Sequence, residues 1–569
     1  MLRARRDVTV RELLVLVAGA CLGSVIMSWP LVLHLGQDIP KDLGDPLAES
    51  WQLGWGGHAL AHQPLHFFQS NQFWPFDDTL AFSDALVGYA PAGLFGSGPH
   101  AAVFRYDLVF MLAYALAFVG AYLLARELGL GWGGAAVAGA AFAFAPFRLE
   151  QDGHMQVISS GGIPLALALG VRGYRLRRPG WVIVGSAVAA WQLSIGFSLG
   201  LPFAYLLAAA GVVGAIVWLR RSRPALDRGL VFATVAGALL FAAAGFALSR
   251  PYLRVAYAHP AARRTPVVVE GYSGPASVFL VAPEESLVWG AATASLRDGL
   301  SNVPEKTLFP GLAIVVLAIA GLTSSAYPRR LRRGLGAGVV AISILALGFR
   351  AGGGLLWPYR LVYEILPGWQ AIRVPGRLVT FSSLGLALLA GAGAQRAIAA
   401  AAGRWMRAWV PAAVAGALAL AVVVEGRGLP FDPFGNRAQP PVPPVPPATA
   451  SAPAPQLHLP AERASDNRRY ILWSTDGFPE LVNGRSSLNP AFTKRLIEDV
   501  QSFPDRRTVE LLRGVGVRSV VLHVDRAEGT PWQGAARRPV ASLPVTRTRR
   551  DGLVIYELRP RGRSPDGPG

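Results

Sequence analysis

The stretch Pro179–Leu219, PGWVIVGSAVAAWQLSIGFSLGLPFAYLLAAAGVVGAIVWL, runs 41 residues without an Asp, Glu, Lys or Arg. A bilayer core about 30 Å thick is crossed by about 20 apolar helical residues. The stretch is too long for one crossing and fits two. Gly200-Leu201-Pro202 is the expected turn between them, because Gly and Pro interrupt helices. Nine further uncharged runs flank it: Leu13–Leu35, Leu108–Ala125, Leu128–Phe147, Met155–Val171, Gly229–Ser249, Thr307–Tyr327, Gly334–Phe349, Leu378–Gln395 and Ala408–Val424. The expectation is a multi-pass α-helical membrane protein with about eleven spans.

The composition agrees. Of 569 residues, 52% are apolar and only 16% charged, and the mean hydropathy is +0.37. A soluble domain carries about 25% charged residues. An ordinary soluble enzyme, a disordered chain and a soluble nucleic-acid binder are excluded. The single Cys21 leaves no intramolecular disulfide to hold the fold.

The net charge of +19 is carried almost wholly by arginine, with lysine only at 41, 306 and 494. The arginines cluster in alternate connections: 3/5/6/11, 126, 172/175/177/178, 220/221/223/228, 329/330/332/333 and 396/404/407. By the positive-inside trend these connections are cytoplasmic, which puts the N-terminus inside and the C-terminus outside. Leu13–Leu35 exceeds a signal-peptide core and lacks a small-residue cleavage site, so it is read as a retained anchor.

Besides the tight turn at Gly200–Pro202, four outer connections then remain: 36–107, 148–154, 250–306 and 350–377. Long loops without elements of their own are uncommon unless functional. The transmembrane part is expected over 1–424, with the long loops 36–107 and 250–306. A Pro-rich linker follows at 425–460, then a small extracytoplasmic α/β domain at 461–560 and a disordered tail at 561–569. Within that domain Tyr470–Trp473, Val517–Val524 and Leu553–Leu558 read as strands and Thr508–Arg513 as a helix.

The first loop brings Asp38, Asp42 and Asp45 just past the first span. Asp45-Pro46 reads as a helix start, Asp as N-cap and Pro at the first helical position. A carboxylate at the membrane boundary can also take a proton from a hydroxyl, and the two roles are compatible. Trp51, Trp55, His58 and His62, spaced four, three and four, share one face of a helix over 46–62 that Pro64 ends. Tryptophan favours the membrane–water boundary, so the helix is expected on the outer surface. His58 and His62 have a metal-ligand spacing, but no third ligand stands out, and no metal is assigned. Asn71–Asp78, NQFWPFDD, offers aromatic rings for stacking on sugars, or a turn with Asp capping. Arg148-Leu149-Glu150-Gln151-Asp152-Gly153-His154 is either a solvated loop or part of a polar site. Arg373 and Arg377 lie outside, against the charge trend, beside a helix start. They suit a phosphate or a lipid headgroup.

No Walker loop follows Gly352-Gly353-Gly354. No His-Glu-x-x-His and no paired-Cys motif occurs, so nucleotide-driven transport and zinc proteolysis have no support.

With these pieces assembled, the chain resembles the GT-C superfamily of integral-membrane glycosyltransferases, in its poorly characterised bacterial branch. Gly44-Asp45-Pro46 with Trp51 and His58, Asn71…Trp74-Pro75, Arg148…His154, Leu366-Pro367-Gly368…Arg373…Arg377 and Val515–Val521 carry the resemblance. The chain lacks the adjacent acidic pair that several branches carry after the first span. The resemblance implies a polyprenyl-phosphate sugar donor, inversion at the anomeric carbon, and a glycan, lipid or protein acceptor at the outer face of the bacterial inner membrane. It implies Asp45 or Asp42 as base and Arg373 and Arg377 on the donor phosphate. Arg148, Asp152, His154, His58 and Trp51 would position substrates. A divalent metal is possible in such a site but unsupported by the residues, and no nucleic-acid partner is expected. The acids and arginines are expected to converge on one lipid-accessible pocket. A lipid-linked sugar flippase, a polysaccharide polymerase or ligase, and a binding scaffold are the alternatives. The scarcity of charge inside the spans favours an enzyme over a transporter.

Overall fold

The computed structural model describes residues 7–220, 227–351, 357–429 and 439–560. Arg3, Arg5, Arg6, Arg221, Arg223, Gly352–Gly354, most of the Pro-rich segment before 439, and the tail 561–569 lie outside the described residues. The chain divides into two compact units: 1–34 with 108–250 and 263–440, and 35–107 with 251–262 and 441–569.

Uncharged runs rich in Ala, Gly and Leu form helices in the first unit. Each of the eleven expected spans contains a helix, but six among the described residues are long and apolar enough to cross a membrane: Val10–Ser28, Gly98–Leu128, Met155–Leu176, Phe197–Arg220, Arg228–Ala258 and Pro375–Trp405. Pro179–Ile195, Leu312–Thr323 and Val410–Gly426 are apolar but shorter. Trp132–Ala143 is shorter still, and Arg329–Ala346 carries four arginines in its first turns. The helix break in Pro179–Leu219 falls at Gly196, not at Gly200–Pro202. Gly196 takes the extended backbone between the two helices, and Pro202 is accommodated inside the second.

Burial sorts these helices. In Pro375–Trp405 83% of the apolar window is buried, against 17% in Val10–Ser28 and in Phe197–Arg220. The first is the core of its unit, and the other two leave most of their apolar side chains uncovered. Small residues let helices meet the core closely. A Cβ on Gly321 would stand 1.9 Å from the Leu389 carbonyl oxygen, and one on Gly393 2.0 Å from that of Leu317. Gly134 and Gly391 face each other in the same way.

Polar ties mark the helix ends. Glu12 accepts from Arg126 at 2.8 Å, and Glu127 from Arg172 at 2.7 Å and Arg175 at 2.8 Å. Three of the clustered arginines are thus partly neutralised within their own helix bundle. Buried Glu425 caps Leu312–Thr323 from a distance, accepting from the Leu312 and Ala313 backbone N–H groups at 3.1 and 2.8 Å.

The second unit is built on a four-stranded sheet: β1 Gln456–Leu459, β2 Ser519–His523, β3 Val545–Arg550 and β4 Leu553–Leu558, in the order β1-β2-β4-β3. β1 and β2 are parallel, and the other pairings are antiparallel. Asp551-Gly552, both at positive φ, close the β3–β4 hairpin as its turn type requires. The connection from β1 to β2 carries helices Ala464–Trp473, Ala491–Asp499 and Arg506–Val515. Leu457, Leu459, Val520, Leu522, Val554 and Tyr556 pack in one core with Leu512 and Trp532.

Two expectations change here. Tyr470–Trp473 ends a helix rather than forming a strand. Four apolar residues fit either element, and the polar turn Ala464–Asn467 before them extends the helix. The segment expected as linker contributes β1, whose Gln456–Leu459 backbone pairs with Ser519–Leu522.

The first loop belongs to this unit. Its helix Asp45–His62 stacks Trp51 on Trp55 (6.4 Å between ring centroids), Trp55 against His58 (5.2 Å) and His58 on His62 (4.7 Å). The tryptophan face meets protein, not lipid. Trp51 and Trp55 are buried among Leu80, Ala85, Ile471 and Leu481. Within Asn71–Asp78, the Phe76 N–H donates to the Phe73 carbonyl at 2.9 Å, a turn, and the backbone before it pairs with C-terminal residues. The Phe73 and Trp74 backbone N–H groups donate to the Asn483 and Leu481 carbonyls, and the Leu481 N–H donates to Asn71 (3.1, 2.7 and 2.7 Å). The segment is the seam that stitches the loop to the C-terminal residues. Asp78 pairs with Arg254 through two bonds of 2.6 and 2.8 Å.

Candidate functional site

The expected site residues fall into both units, and each group is described within its own. In the loop-and-sheet unit the helix at the first loop begins at Asp45, with Gly44 as its N-cap and no side-chain cap bond. Asp45 is therefore not the cap. Its half-exposed carboxylate instead accepts from Arg468 Nη2 at 2.6 Å. Asp42 is exposed, and its Oδ1 accepts from the Gly44 N–H at 2.7 Å. Asp38 is buried, its backbone bridged to Pro441. Trp51 is 1% exposed and donates its indole N–H to Asn71 Oδ1 at 3.0 Å. It is a core residue and offers no face to a substrate. His58 is half-buried against Trp55 and Phe478, and burial, then His62, pulls its pKa below the usual histidine value.

In the helical unit three outer connections meet. Glu305 lies at their junction. Arg377 donates to it from Nη2 at 2.5 Å and from Nε at 3.3 Å, and His154 Nε2 stands 3.8 Å away. Burial works against charge on Glu305, but Arg377, His154 and Arg373 outweigh it and hold its pKa down at about 2. Arg377 is thus engaged by a carboxylate rather than left for a phosphate.

Arg373 differs. Its guanidinium carbon sits 4.9 Å from the Tyr272 ring centroid. Among the described residues no hydrogen bond or ion pair engages it, and its Nε is buried without a partner. The backbone around it is fixed: Trp369, Ile372, Val374 and Pro375 are buried on either side. A Cβ on Gly376 would stand 2.7 Å from the Glu305 carbonyl oxygen, so only glycine lets the loop close on Glu305. Arg264 is the neighbouring cation. Burial first, and the charge of Arg373 second, press its pKa below the usual value. Two guanidinium groups held together in this way favour an anion between or beside them.

Arg148 and Asp152 make a separate cluster. Arg148 is 2% exposed and donates to Ser160 Oγ at 2.9 Å and to the Ile158 carbonyl at 2.6 Å. Its charge lies 5.3 Å from the Tyr114 ring centroid, and Tyr114 donates to Asp152. Arg148 therefore braces the loop from inside. From the same stretch, His154 Nε2 faces Glu305 at 3.8 Å and Gln151 Nε2 donates to the Pro304 carbonyl at 3.2 Å.

Glu305, Arg264, Tyr272 and Arg468 were not singled out by the sequence. Glu305 is one acid in a 57-residue loop (250–306) without a motif around it. Arg468 sits in a segment whose charges read as a solvated face. Among the described residues no group of three His, Cys, Asp or Glu is placed to hold a metal ion.

No protein-family model and no curated protein sequence matches the chain. Solved structures do. The arabinofuranosyltransferase AftD from Mycobacteria, as two classes of its R1389S mutant, superposes with TM-scores of 0.56 and 0.51 at 16% identity. The alignments cover 98% and 97% of this chain but 42% of that one. The chain shares the fold of AftD over nearly its whole length. It spans less than half the length of AftD, and at this identity the likeness is one of fold. The apo Archaeoglobus fulgidus oligosaccharyltransferase superposes over 90% of this chain and 69% of its own, at 14% identity and a TM-score of 0.47, too low to carry an argument. The fold shared with AftD, the six helices among the described residues long and apolar enough to cross a membrane, and the small C-terminal sheet support a multi-pass membrane protein.

Proposed function

We propose that the protein is a glycosyltransferase that moves a sugar from a polyprenyl-phosphate donor to an acceptor hydroxyl, with inversion, at the outer face of a bacterial cytoplasmic membrane. The observation that carries the reading is Arg373, a guanidinium without a protein acceptor among the described residues, held over Tyr272 beside Arg264 in a fold shared with AftD.

The chemistry follows from the charges. The acceptor oxygen attacks the anomeric carbon, and its proton passes to a carboxylate. The bond from that carbon to the phosphate oxygen breaks, and the lipid phosphate leaves with one more negative charge than it had as a diester. Arg373 and Arg264 meet that added charge, so they bind the transition state more tightly than the donor. Asp45 is the base. It stands half-exposed at a helix start, whereas Asp42 is turned back onto its own loop. Arg377 and Glu305 form the wall that fixes the Arg373 loop, and His154 borders it. The alternation of arginine clusters supports an inside N-terminus and an outside C-terminal sheet.

The test is transfer in membrane vesicles, with the same sugar offered on polyprenyl phosphate or on a nucleotide. Product is expected from the lipid donor alone, and Asp45→Asn is expected to abolish it. Transfer from the nucleotide donor removes the donor assignment. An Asp45→Asn protein with normal expression and undiminished turnover removes the base.

A further inference from the structure

The carboxylate read as the base is held by the C-terminal part of the chain. Asp45 lies more than 400 positions before Arg468, yet Arg468 Nη2 reaches its Oδ1 at 2.6 Å. The bond is set in a rigid frame. Ile471 and Leu481 pack on Trp51 and Trp55 of the Asp45 helix. Asn71 takes the Trp51 indole N–H at 3.0 Å and donates to Ser474 Oγ at 3.0 Å, tying the Asp45 helix to the end of Ala464–Trp473. Arg468 is only 18% exposed, so its stem is packed and its guanidinium cannot wander.

We propose that Arg468 is a positioning residue for the transfer reaction: it orients the Asp45 carboxylate toward the acceptor, so that the C-terminal sheet region completes the base. The inference rests on the reading of Asp45 as base. A carboxylate at the first position of a helix, with no capping bond of its own, has more than one staggered rotamer open to it by backbone geometry. A charge-assisted bond selects one of them. Misplacing a catalytic group by about 1 Å costs on the order of 100-fold in rate.

The experiment compares full-length wild type, Arg468→Met, Arg468→Lys and Asp45→Asn in proteoliposomes, with polyprenyl-phosphate sugar as donor. Arg468→Met is expected to lower kcat about 10- to 100-fold, with KM for the donor unchanged within about twofold. Arg468→Lys, which keeps a cation but loses the fork, is expected to recover part of that loss. Thermal melting in detergent separates this from misfolding: the Met and Lys proteins are expected to melt together and to differ in kcat. An Asp45→Asn protein that is dead beside an Arg468→Met protein at full kcat overturns the inference and leaves the base standing. So does a Lys protein no better than Met. A fully active Asp45→Asn protein overturns the reading beneath it.

Discussion

Replacing Glu305 by Gln removes the carboxylate to which the Arg377 guanidinium donates twice. Arg377 and Glu305 have side chains 10% and 9% exposed and meet at 2.5 Å. Breaking a buried pair from one side costs about 3–5 kcal/mol, because the remaining charge stays buried. The carboxyl points the same way, its pKa held down at about 2 against an ordinary 4.5 by Arg377 and its neighbours in spite of burial. Glu305→Gln is expected to destabilise by about 3 kcal/mol. The sign with pH follows. A carboxyl whose folded pKa is depressed contributes in full above its unfolded value of 4.5 and loses that contribution as pH falls toward 2. The assay is melting in detergent at neutral pH of wild type, Glu305→Gln, Arg377→Gln and the double variant. Each single variant should lose more than half of what a buried pair is worth, and the double variant should lose less than their sum. Single variants that melt with wild type, or strict additivity, would refute the account of the junction.

Three further outcomes follow from particular contacts. Gly321→Ala sets a Cβ 1.9 Å from the Leu389 carbonyl oxygen, which must push Leu312–Thr323 off the core helix; lowered melting and lowered yield in detergent are expected, and an unchanged melt contradicts the packing. His458 and His523, bonded at 3.0 Å, with His523 stacked on Tyr470 and His458 tilted against it, are held neutral by burial, His523 with its pKa down at about 3. Their contribution is complete above the unfolded histidine value of 6.5 and falls as pH drops below it, by about 1.4 kcal/mol per pH unit for each ring. Loss of the amide protection of β1 and β2 between pH 6 and 4 checks this, and a His523→Phe protein should lose part of that dependence. Glu425→Ala leaves the first N–H groups of Leu312–Thr323 without their acceptor, and a melt lowered by about 1–3 kcal/mol is expected.

The helical architecture was legible because uncharged runs of 16 residues and more have few other uses. Positions of arginine clusters were legible for the same reason. What the sequence hid was pairing across long separations. Nothing local to Asn71–Trp74 says that its backbone will bond Leu481 and Asn483, so an aromatic-rich loop was read for its rings. Trp51 was read as a boundary residue because its helix is amphipathic, yet the apolar face is covered by Ile471 and Leu481 from the other end of the chain. Arg373 and Arg377 look alike in sequence. Glu305, 68 positions before Arg373, makes one a structural ion pair and leaves the other available. The strand read over Tyr470–Trp473 failed for a local reason, since four apolar residues do not fix a period.

The most direct measurement is turnover of Arg373→Gln against wild type in proteoliposomes, with polyprenyl-phosphate sugar as donor and melting as the control for folding. Arg373 makes no hydrogen bond or ion pair with a described residue and rests on the Tyr272 ring, so its loss should cost the fold no more than about 1 kcal/mol. The account predicts a protein that melts like wild type and transfers about 100- to 1,000-fold more slowly, the loss expected when one donor to a developing negative charge is removed. Wild-type turnover in a normally folded Arg373→Gln protein would contradict it.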